Sequence, residues 1–281
     1  MTPLVEVLTR TTEFFRQKGI PSARLDAELI LAHVLKVDRV KVYLSFDRPL
    51  AEAELEAIRT LVRRRGAREP LAWVLGEKEF YGRDFVVLPG VLVPRPDTEA
   101  LVEAAKARLG EDDPLYVVDV GSGTGCIGLT LALERPGVRL YAVDLAEAAL
   151  NNTRQNVEKH ALGPRVAVRR GDGLAAVPAD RPVDWLVSNP PYIPSAAIDA
   201  LAPEVARHEP RLALDGGPDG LRAYRALVAQ ARGRVRRGVI FEVGDDQAPA
   251  VEALLVEAGF SAPFRHKDLA GVERVVGALA G

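Results

Sequence analysis

The chain is short of the residues that build covalent or metal-centred frameworks. It holds one cysteine, Cys126, in 281 residues, so no intrachain disulfide can form and no cysteine-cluster metal site is available. The histidine beside Glu209, His208, stands alone in its segment, and no metal centre is expected there. Long apolar runs are also missing: the hydrophobic stretches are short and broken by charges, so nothing approaches a membrane span. Glu6 and Arg10 interrupt the apolar pattern of the N-terminus, unlike a secretory signal, and the cytoplasm is the expected location. A net charge of −2, with acids and bases interspersed, lacks the broad cationic face that holds duplex DNA. The run Arg63-Arg64-Arg65 is read instead as a solvated helix C-terminus, where the dipole favours cations. Asn, Gln, Met and Cys are scarce, as suits a hot environment. The excess of arginine over lysine and the abundance of alanine fit a GC-rich genome as well, so growth temperature stays open.

What is present is an ordinary globular composition, 48% hydrophobic, with length for one large domain and a small one. Residues 1–75 read as a bundle of short helices. Residues 3–17 carry Leu4, Val5, Leu8, Phe14 and Phe15 at helical spacing, with Gly19 as a stop. Pro21-Ser22 opens a second helix, a short third follows Asp38, and a fourth covers 51–65 with Leu55, Ile58 and Val62 as its buried stripe. His33 reads as a packed or rim histidine. Residues 76–96 form a connector in which 77–87 alternate about Tyr81-Gly82-Arg83 as a β-hairpin does. Pro94-Arg95-Pro96 then leads into a helix that Asp97 or Thr98 could cap.

From Leu115 strands alternate with helices, which defines the third segment, 97–281, as an α/β domain with a mainly parallel sheet. Strands are expected over 115–120, 139–143, 165–168, 185–188 and 239–243. Helices are expected over 124–133, 146–160, 220–232 and 248–258, and an antiparallel hairpin near 263–266 and 273–276 closes the chain.

Four features fall in order at the C-terminal ends of these strands, the edge where open parallel sheets bind ligands. The first is Asp119-Val120-Gly121-Ser122-Gly123-Thr124-Gly125, a glycine turn between strand and helix that lets the backbone approach a ligand and presents free N–H groups. Its spacing is not the Gly-x-Gly-x-x-Gly dinucleotide fingerprint, although Gly128 completes a looser match and keeps NAD as a minority alternative. The second is Asp144, placed to accept both ribose hydroxyls of a nucleoside or to cap the following helix. The third is Asp172 with Gly173, where a carboxylate could accept the exocyclic amine of adenine or simply make a turn. The fourth is Asn189-Pro190-Pro191-Tyr192. Two prolines end the strand and hold the loop extended, with an amide and a phenol projecting from it.

With these residues in place the chain resembles the class I S-adenosylmethionine-dependent methyltransferases that carry an Asn-Pro-Pro-Tyr loop, enzymes acting on the planar nitrogens of adenine or glutamine. Within them it resembles the HemK/PrmC type. The similarity covers nearly the whole chain. It includes Ser22-Ala23-Arg24-Leu25-Asp26-Ala27-Glu28, Arg68-Glu69-Pro70-Leu71-Ala72 with Gly76, and Phe80-Tyr81-Gly82. It continues through Pro94-Arg95-Pro96-Asp97-Thr98-Glu99, the glycine turn with Cys126-Ile127, and Ser188-Asn189-Pro190-Pro191-Tyr192-Ile193-Pro194. The resemblance implies a Rossmann-like methyltransferase sheet behind a small helical substrate-recognition domain. It implies N5-methylation of the Gly-Gly-Gln glutamine of class I peptide-chain release factors, a protein methylation belonging to translation termination. S-Adenosyl-L-methionine would be converted to S-adenosyl-L-homocysteine. The implied cofactor residues are Gly121, Ser122, Gly123, Thr124, Gly125, Asp144, Asp172, Gly173 and Asn189. Members often carry an aromatic residue after the strand-three acid, where this chain has Gly173 and Leu174, so adenine stacking from that position stays open.

The loop chemistry follows from such a substrate. An amide NH2 is a donor, and the Asn189 side-chain oxygen and the Pro190 carbonyl are both acceptors. Holding both hydrogens orients the nitrogen and favours the pyramidal cation of the transition state. Asn189 and Pro190 are therefore the expected catalytic groups, with Pro191 and Tyr192 completing the substrate contact; Tyr192 serves equally well as a loop anchor. Cys126 reads as a small packing residue and Arg95 as half of an ion pair. Two enzymatic alternatives are an adenine-N6 nucleic-acid methyltransferase and a glutamine methyltransferase acting on a ribosomal protein. A binding protein that holds an adenine nucleoside without turnover is the alternative outside catalysis. An adenine-N6 enzyme would usually carry an added target-recognition segment and a cationic face, and neither is visible. No direct nucleic-acid or membrane contact is expected.

Overall fold

The structure is a computed structural model that describes residues 2–111 and 114–281. It divides into two compact units, one of Met1–Glu77 with Ala202–His208, the other of Lys78–Leu201 with Glu209–Gly281.

The first unit is helical: α1 (Leu4–Gln17), α2 (Ala23–Leu35), α3 (Arg39–Leu44), α4 (Glu52–Gly66) and α5 (Leu71–Leu75). Leu4, Leu8 and Phe15 of α1, Ile30 and Leu31 of α2 and Ile58 of α4 close an apolar core. Asp38 caps α3 by accepting the Lys41 N–H at 2.9 Å. Between the helices lies a partly buried ionic knot. Arg65 Nε donates to Asp26 Oδ2 at 2.7 Å, and its Nη2 donates to Glu204 Oε1 at 2.9 Å. Arg68 completes it on Glu204, Nη2 to Oε2 at 2.7 Å. Burial pushes the Glu204 carboxyl upward, but Arg68, its own backbone N–H and Arg65 outweigh that and hold it down at about 2. The run Arg63-Arg64-Arg65 does end a helix, yet only Arg63 is largely solvated. Arg64 turns to Glu69 and Arg65 goes inside, because Asp26 and Glu204 supply the counter-charges that make burial tolerable.

The second unit begins within the expected hairpin, β1 (Glu77–Phe80) and β2 (Arg83–Val86), and continues with a 3₁₀ turn, Pro96–Thr98, and α6 (Glu99–Lys106). Next come β3 (Leu115–Val120), α7 (Cys126–Glu134), β4 (Val138–Asp144), α8 (Glu147–Lys159), β5 (Val166–Arg170) and β6 (Trp185–Ser188). The chain continues as α9 (Pro203–His208, within the helical unit), α10 (Arg222–Ala231), β7 (Gly238–Glu242), α11 (Ala248–Glu257), β8 (Ser261–Lys267) and β9 (Glu273–Leu279). The seven-stranded sheet runs β5-β4-β3-β6-β7-β9-β8. Its first five strands are parallel, and β9 is antiparallel to both β7 and β8. Successive residues go to opposite faces. Val117, Trp185, Val187 and Ile240 pack against α6 and α7, whereas Val118, Leu186, Val239 and Phe241 pack against α10 and α11. This is the mainly parallel α/β sheet with a terminal antiparallel hairpin that the sequence predicts. Among the described residues no helix is long and apolar enough to cross a membrane.

Candidate active site

The chain leaves β3 toward β4 on one side of the sheet and reaches β6 on the other, so the loops after β3 and β6 diverge and open a crevice. A cleft of about 1230 Å³, open mouth included, lies there. Gly121, Ser122, Gly123, Thr124, Asp144, Asp172, Gly173, Asn189, Pro190 and Pro191 all line it. Gly125 and Tyr192 of the predicted site do not.

The glycine turn supplies shape rather than charge. Gly121 and Gly123 sit at φ 72° and 57°, a region that favours glycine. The N–H groups of Gly121 and Ser122 both donate to the Val143 carbonyl, at 2.8 and 3.0 Å. Gly123 N–H donates to Asp144 Oδ2 at 3.0 Å, and Gly125 N–H to the Ser122 carbonyl at 2.6 Å. At the start of α7, Gly128 N–H donates to Asp119 Oδ2 at 2.9 Å. The free amides expected of this turn are thus engaged by the protein itself, and little is left to cradle a pyrophosphate. Gly128 has a packing role instead: a Cβ there would stand 2.8 Å from Leu140 and 2.9 Å from the Asp119 side chain.

Asp144 holds the turn that leads into α8 and lines the cleft, rather than capping the helix itself. Its Oδ1 accepts the Ala146 N–H at 2.9 Å, and burial raises its carboxyl while the amides of Ala146, Gly123 and Leu145 draw it back. Asp119 beneath the turn is fully buried, with Oδ1 lacking a partner among the described residues. Burial pushes it up to about 7, opposed by the Gly128 N–H and helped by the nearby Asp144 charge. At Gly173 the backbone itself disfavours an aromatic. Its φ is 56°, and a Cβ would come within 2.3 Å of Gln230 Oε1, which accepts the Leu174 N–H at 2.7 Å. The walls of the cleft are aliphatic, from Leu145, Ala223, Ala226 and Leu227.

Beyond β6 the loop is braced from behind. Gln247 Nε2 donates to the Tyr192 carbonyl at 3.0 Å, while its Oε1 accepts the Gly244 N–H at 3.0 Å. The Tyr192 ring packs beside Gly244, where a Cβ would approach it to 2.9 Å, and against the α10–α11 core. Burial raises the Tyr192 phenol to about 12, so it stays a neutral hydroxyl. Asn189 Nδ2 donates to Thr98 Oγ1 at 3.3 Å. Behind both lies Glu242, only 2% exposed, with Oε2 lacking a partner among the described residues. Burial pushes Glu242 up to about 7, against the pull of Thr98, Arg274 and Asn189 and with a push from Asp97.

Sequence reasoning missed Thr98 as anything but a helix cap, and it missed Glu242 and Gln247 entirely. A signal existed for Glu242: a lone acid in an otherwise apolar central strand demands a reason. Cys126 is buried, and its thiol is pushed up to about 12, as fits a packing residue. Arg95 lines the mouth and donates to Glu209 Oε2 at 2.6 Å. Pro210, Leu212 and Ala213 border the cleft. Asp215 organises the adjoining turn, accepting from Ser195 Oγ at 2.6 Å and Gly217 N–H at 2.8 Å. Among the described residues no group of three or more His, Cys, Asp or Glu could hold a metal ion.

Residues 6–76 match the family described as PrmC N-terminal domain, and residues 96–217 match the methyltransferase small domain. The release factor glutamine methyltransferase of Geobacter sulfurreducens is 43% identical over 98% of this chain and 96% of its own length. The protein-(glutamine-N5) methyltransferase (release factor-specific) of Alicyclobacillus acidocaldarius has a crystal structure. It is 34% identical, covers 70% of this chain and 99% of that one, and has a TM-score of 0.42. A methyltransferase from Pyrococcus furiosus, 16% identical, has a TM-score of 0.52 over 81% of this chain and 98% of its own, a likeness of fold.

Proposed function

The chain belongs to the release factor glutamine methyltransferase family, and from that premise we infer that it methylates the side-chain amide nitrogen of a release-factor glutamine. The glutamine is that of the Gly-Gly-Gln motif in class I release factors. The observation that carries this reading is that Asn189 and Pro190, adjacent residues with an acceptor each in Oδ1 and the backbone carbonyl, line the cleft beside the glycine turn. An amide nitrogen is a poor nucleophile because its lone pair is delocalised into the carbonyl. Asn189 and Pro190 each accept one of its N–H groups, fix its direction and favour the positive charge that develops on it. Pro191 keeps that loop extended. Tyr192 serves from behind, as the anchor of the loop.

The cleft fits S-adenosyl-L-methionine. Carboxylates stand at two strand ends, Asp144 for ribose hydroxyls and Asp172 for an adenine amine. The walls are aliphatic, and the engaged amides of Gly121, Ser122 and Gly123 favour a ligand without phosphate. When bound there, it supplies an electrophilic sulfonium methyl and leaves as S-adenosyl-L-homocysteine. Ser122, Thr124, Gly125 and Gly173 shape the turns around it. The helical unit serves to grip the release factor, with Val40 and Leu44 of α3 exposed as apolar surface; residues 76–96 connect, and 97–281 carry the chemistry. The work is cytoplasmic.

Incubation with labelled S-adenosyl-L-methionine and unmodified release factor tests this. Label should appear on the Gly-Gly-Gln glutamine, and label that persists after that glutamine is replaced overturns the substrate. Asn189→Ala should lower transfer by about 10²- to 10³-fold while leaving cofactor affinity nearly unchanged.

A further inference from the structure

A side-chain amide has two nearly isosteric ends, and only one of them suits the role given to Asn189. With Oδ1 toward the cleft it accepts from an incoming NH2; turned over, it presents donors to a donor. Packing does not choose between the two, so hydrogen bonding must. Three facts supply the choice. Asn189 Nδ2 donates to Thr98 Oγ1 at 3.3 Å. Ser188 and Phe241 are partners in the parallel register of β6 and β7, so the next residues along, Asn189 and Glu242, stand side by side. Thr98 and Glu242 are each only 2% exposed, and the Glu242 carboxyl feels both the Thr98 hydroxyl and the Asn189 amide.

We propose that Thr98 and Glu242 are positioning residues that fix which end of the Asn189 amide faces the cleft. An ionised carboxylate is an acceptor only. The Thr98 hydroxyl gives its one hydrogen to Glu242 and keeps a lone pair for Asn189. The Asn189 NH2 is thereby drawn back, and Oδ1 is left facing the substrate. The chain of donors runs in one sense as long as Glu242 is charged. An apolar side chain in β7 would avoid the cost of burying a carboxyl, which places the reason for this acid in the site rather than in the core.

The same arrangement makes the orientation sensitive to pH. Around Glu242 stand Asp97 on the turn before α6, Cys126 on α7, Tyr192 on the loop, Tyr224 on α10 and Arg274 on β9. Burial outweighs the help of Arg274, and the carboxyl gains its proton in the neutral range. Protonated Glu242 carries an O–H donor, and the chain loses its single sense.

The inference rests on the methyl-acceptor reading for what Asn189 does, but not for how its amide is held, and two measurements on the full chain separate the two. In ¹⁵N-asparagine-labelled protein, the Asn189 Nδ2 protons, assigned by their loss in Asn189→Ala, should shift with pH with a midpoint near 7. That shift should vanish in Glu242→Gln, and the protons should exchange freely in Thr98→Val but not in Thr98→Ser. In methyl-transfer kinetics, Thr98→Val and Glu242→Gln should each lower kcat about 10- to 100-fold at unchanged cofactor affinity and KM for release factor. Thr98→Ser should restore most of it, and the acidic limb of the kcat profile should be missing in Glu242→Gln. A pH-invariant Asn189 amide, undiminished kcat in both variants, or cofactor affinity lost in step with kcat overturns the proposal. A wild-type chain that transfers no methyl group while its Asn189 amide still titrates with Glu242 overturns the substrate reading and leaves this one standing.

Discussion

In the helical unit Asp26 is buried and Glu204 partly buried, with Arg65 and Arg68 against them at 2.7 to 2.9 Å. In the α/β unit Asp119 and Glu242 are buried at least as deeply, and each keeps one oxygen with no partner among the described residues. The first pair of acids is held by cations and keeps helices together. The second is pushed by burial up to about 7, next to the turn and the loop that form the cleft. Burial alone therefore does not tell what an acid is for; its partners do. A matched buried acid is part of the scaffold, and an unmatched one marks where a site imposes a cost on the fold.

Breaking the scaffold side of this contrast should have the largest effect. Arg65→Met leaves Asp26 without its cation and should destabilise the chain by about 3–5 kcal/mol, measured by urea denaturation. Replacing Asp26 by Met as well should recover most of that loss. On the site side, Asp119 and Glu242 are raised from ordinary values of 3.8 and 4.5, so the folded chain binds more protons than the unfolded one between about pH 4 and pH 7. Their contribution to stability is complete below that window and is lost as pH rises through it. Melting midpoints should fall across the window in wild type, and less steeply in Asp119→Asn and in Glu242→Gln. Glu204, held at about 2, contributes with the opposite sign: its share is present above about pH 4.5 and is lost only in strong acid.

Smaller effects sharpen the comparison further. Gly128→Ala presses a methyl onto Leu140 and Asp119, and should cost about 1–3 kcal/mol in thermal unfolding. Arg59 forms ion pairs with Glu52 and Glu56 at 2.9 and 3.4 Å, but at the surface. Arg59→Ala should leave the denaturation midpoint unmoved, because solvent screens such pairs.

The sheet was readable because its strands are apolar runs with hard stops. Leu115–Val120 ends at a glycine turn and Trp185–Ser188 ends before Asn189 and two prolines, and both match their expected bounds. Helix ends were off by one or two residues, as at Cys126–Glu134, because the first turn after a glycine depends on which carbonyls its amides find. The helix Leu71–Leu75 and the helix Pro203–His208 carry too few residues for a period to show. What ties the second into the helical unit is Glu204, paired with arginines more than 130 positions earlier in the chain, a relation no local pattern records. The cleft residues were legible as strand-end acids and a proline-locked Asn. Their backing was not: Thr98 reads as a cap by spacing, and only the β6–β7 register sets Glu242 beside Asn189.

The engaged amides of the Gly121 turn also bear on competition inside a cell. Adenine there is carried mostly on phosphorylated molecules, which seek unpaired N–H groups and cationic side chains. The Val143 carbonyl and Asp144 have already taken those N–H groups, and the carboxylates of Asp144 and Asp172 repel phosphate across the cleft. Nucleotide pools should thus be poor inhibitors, whereas uncharged adenosine and its thioether, sulfonium or amine derivatives should displace the native ligand. The turn selects by refusing anions.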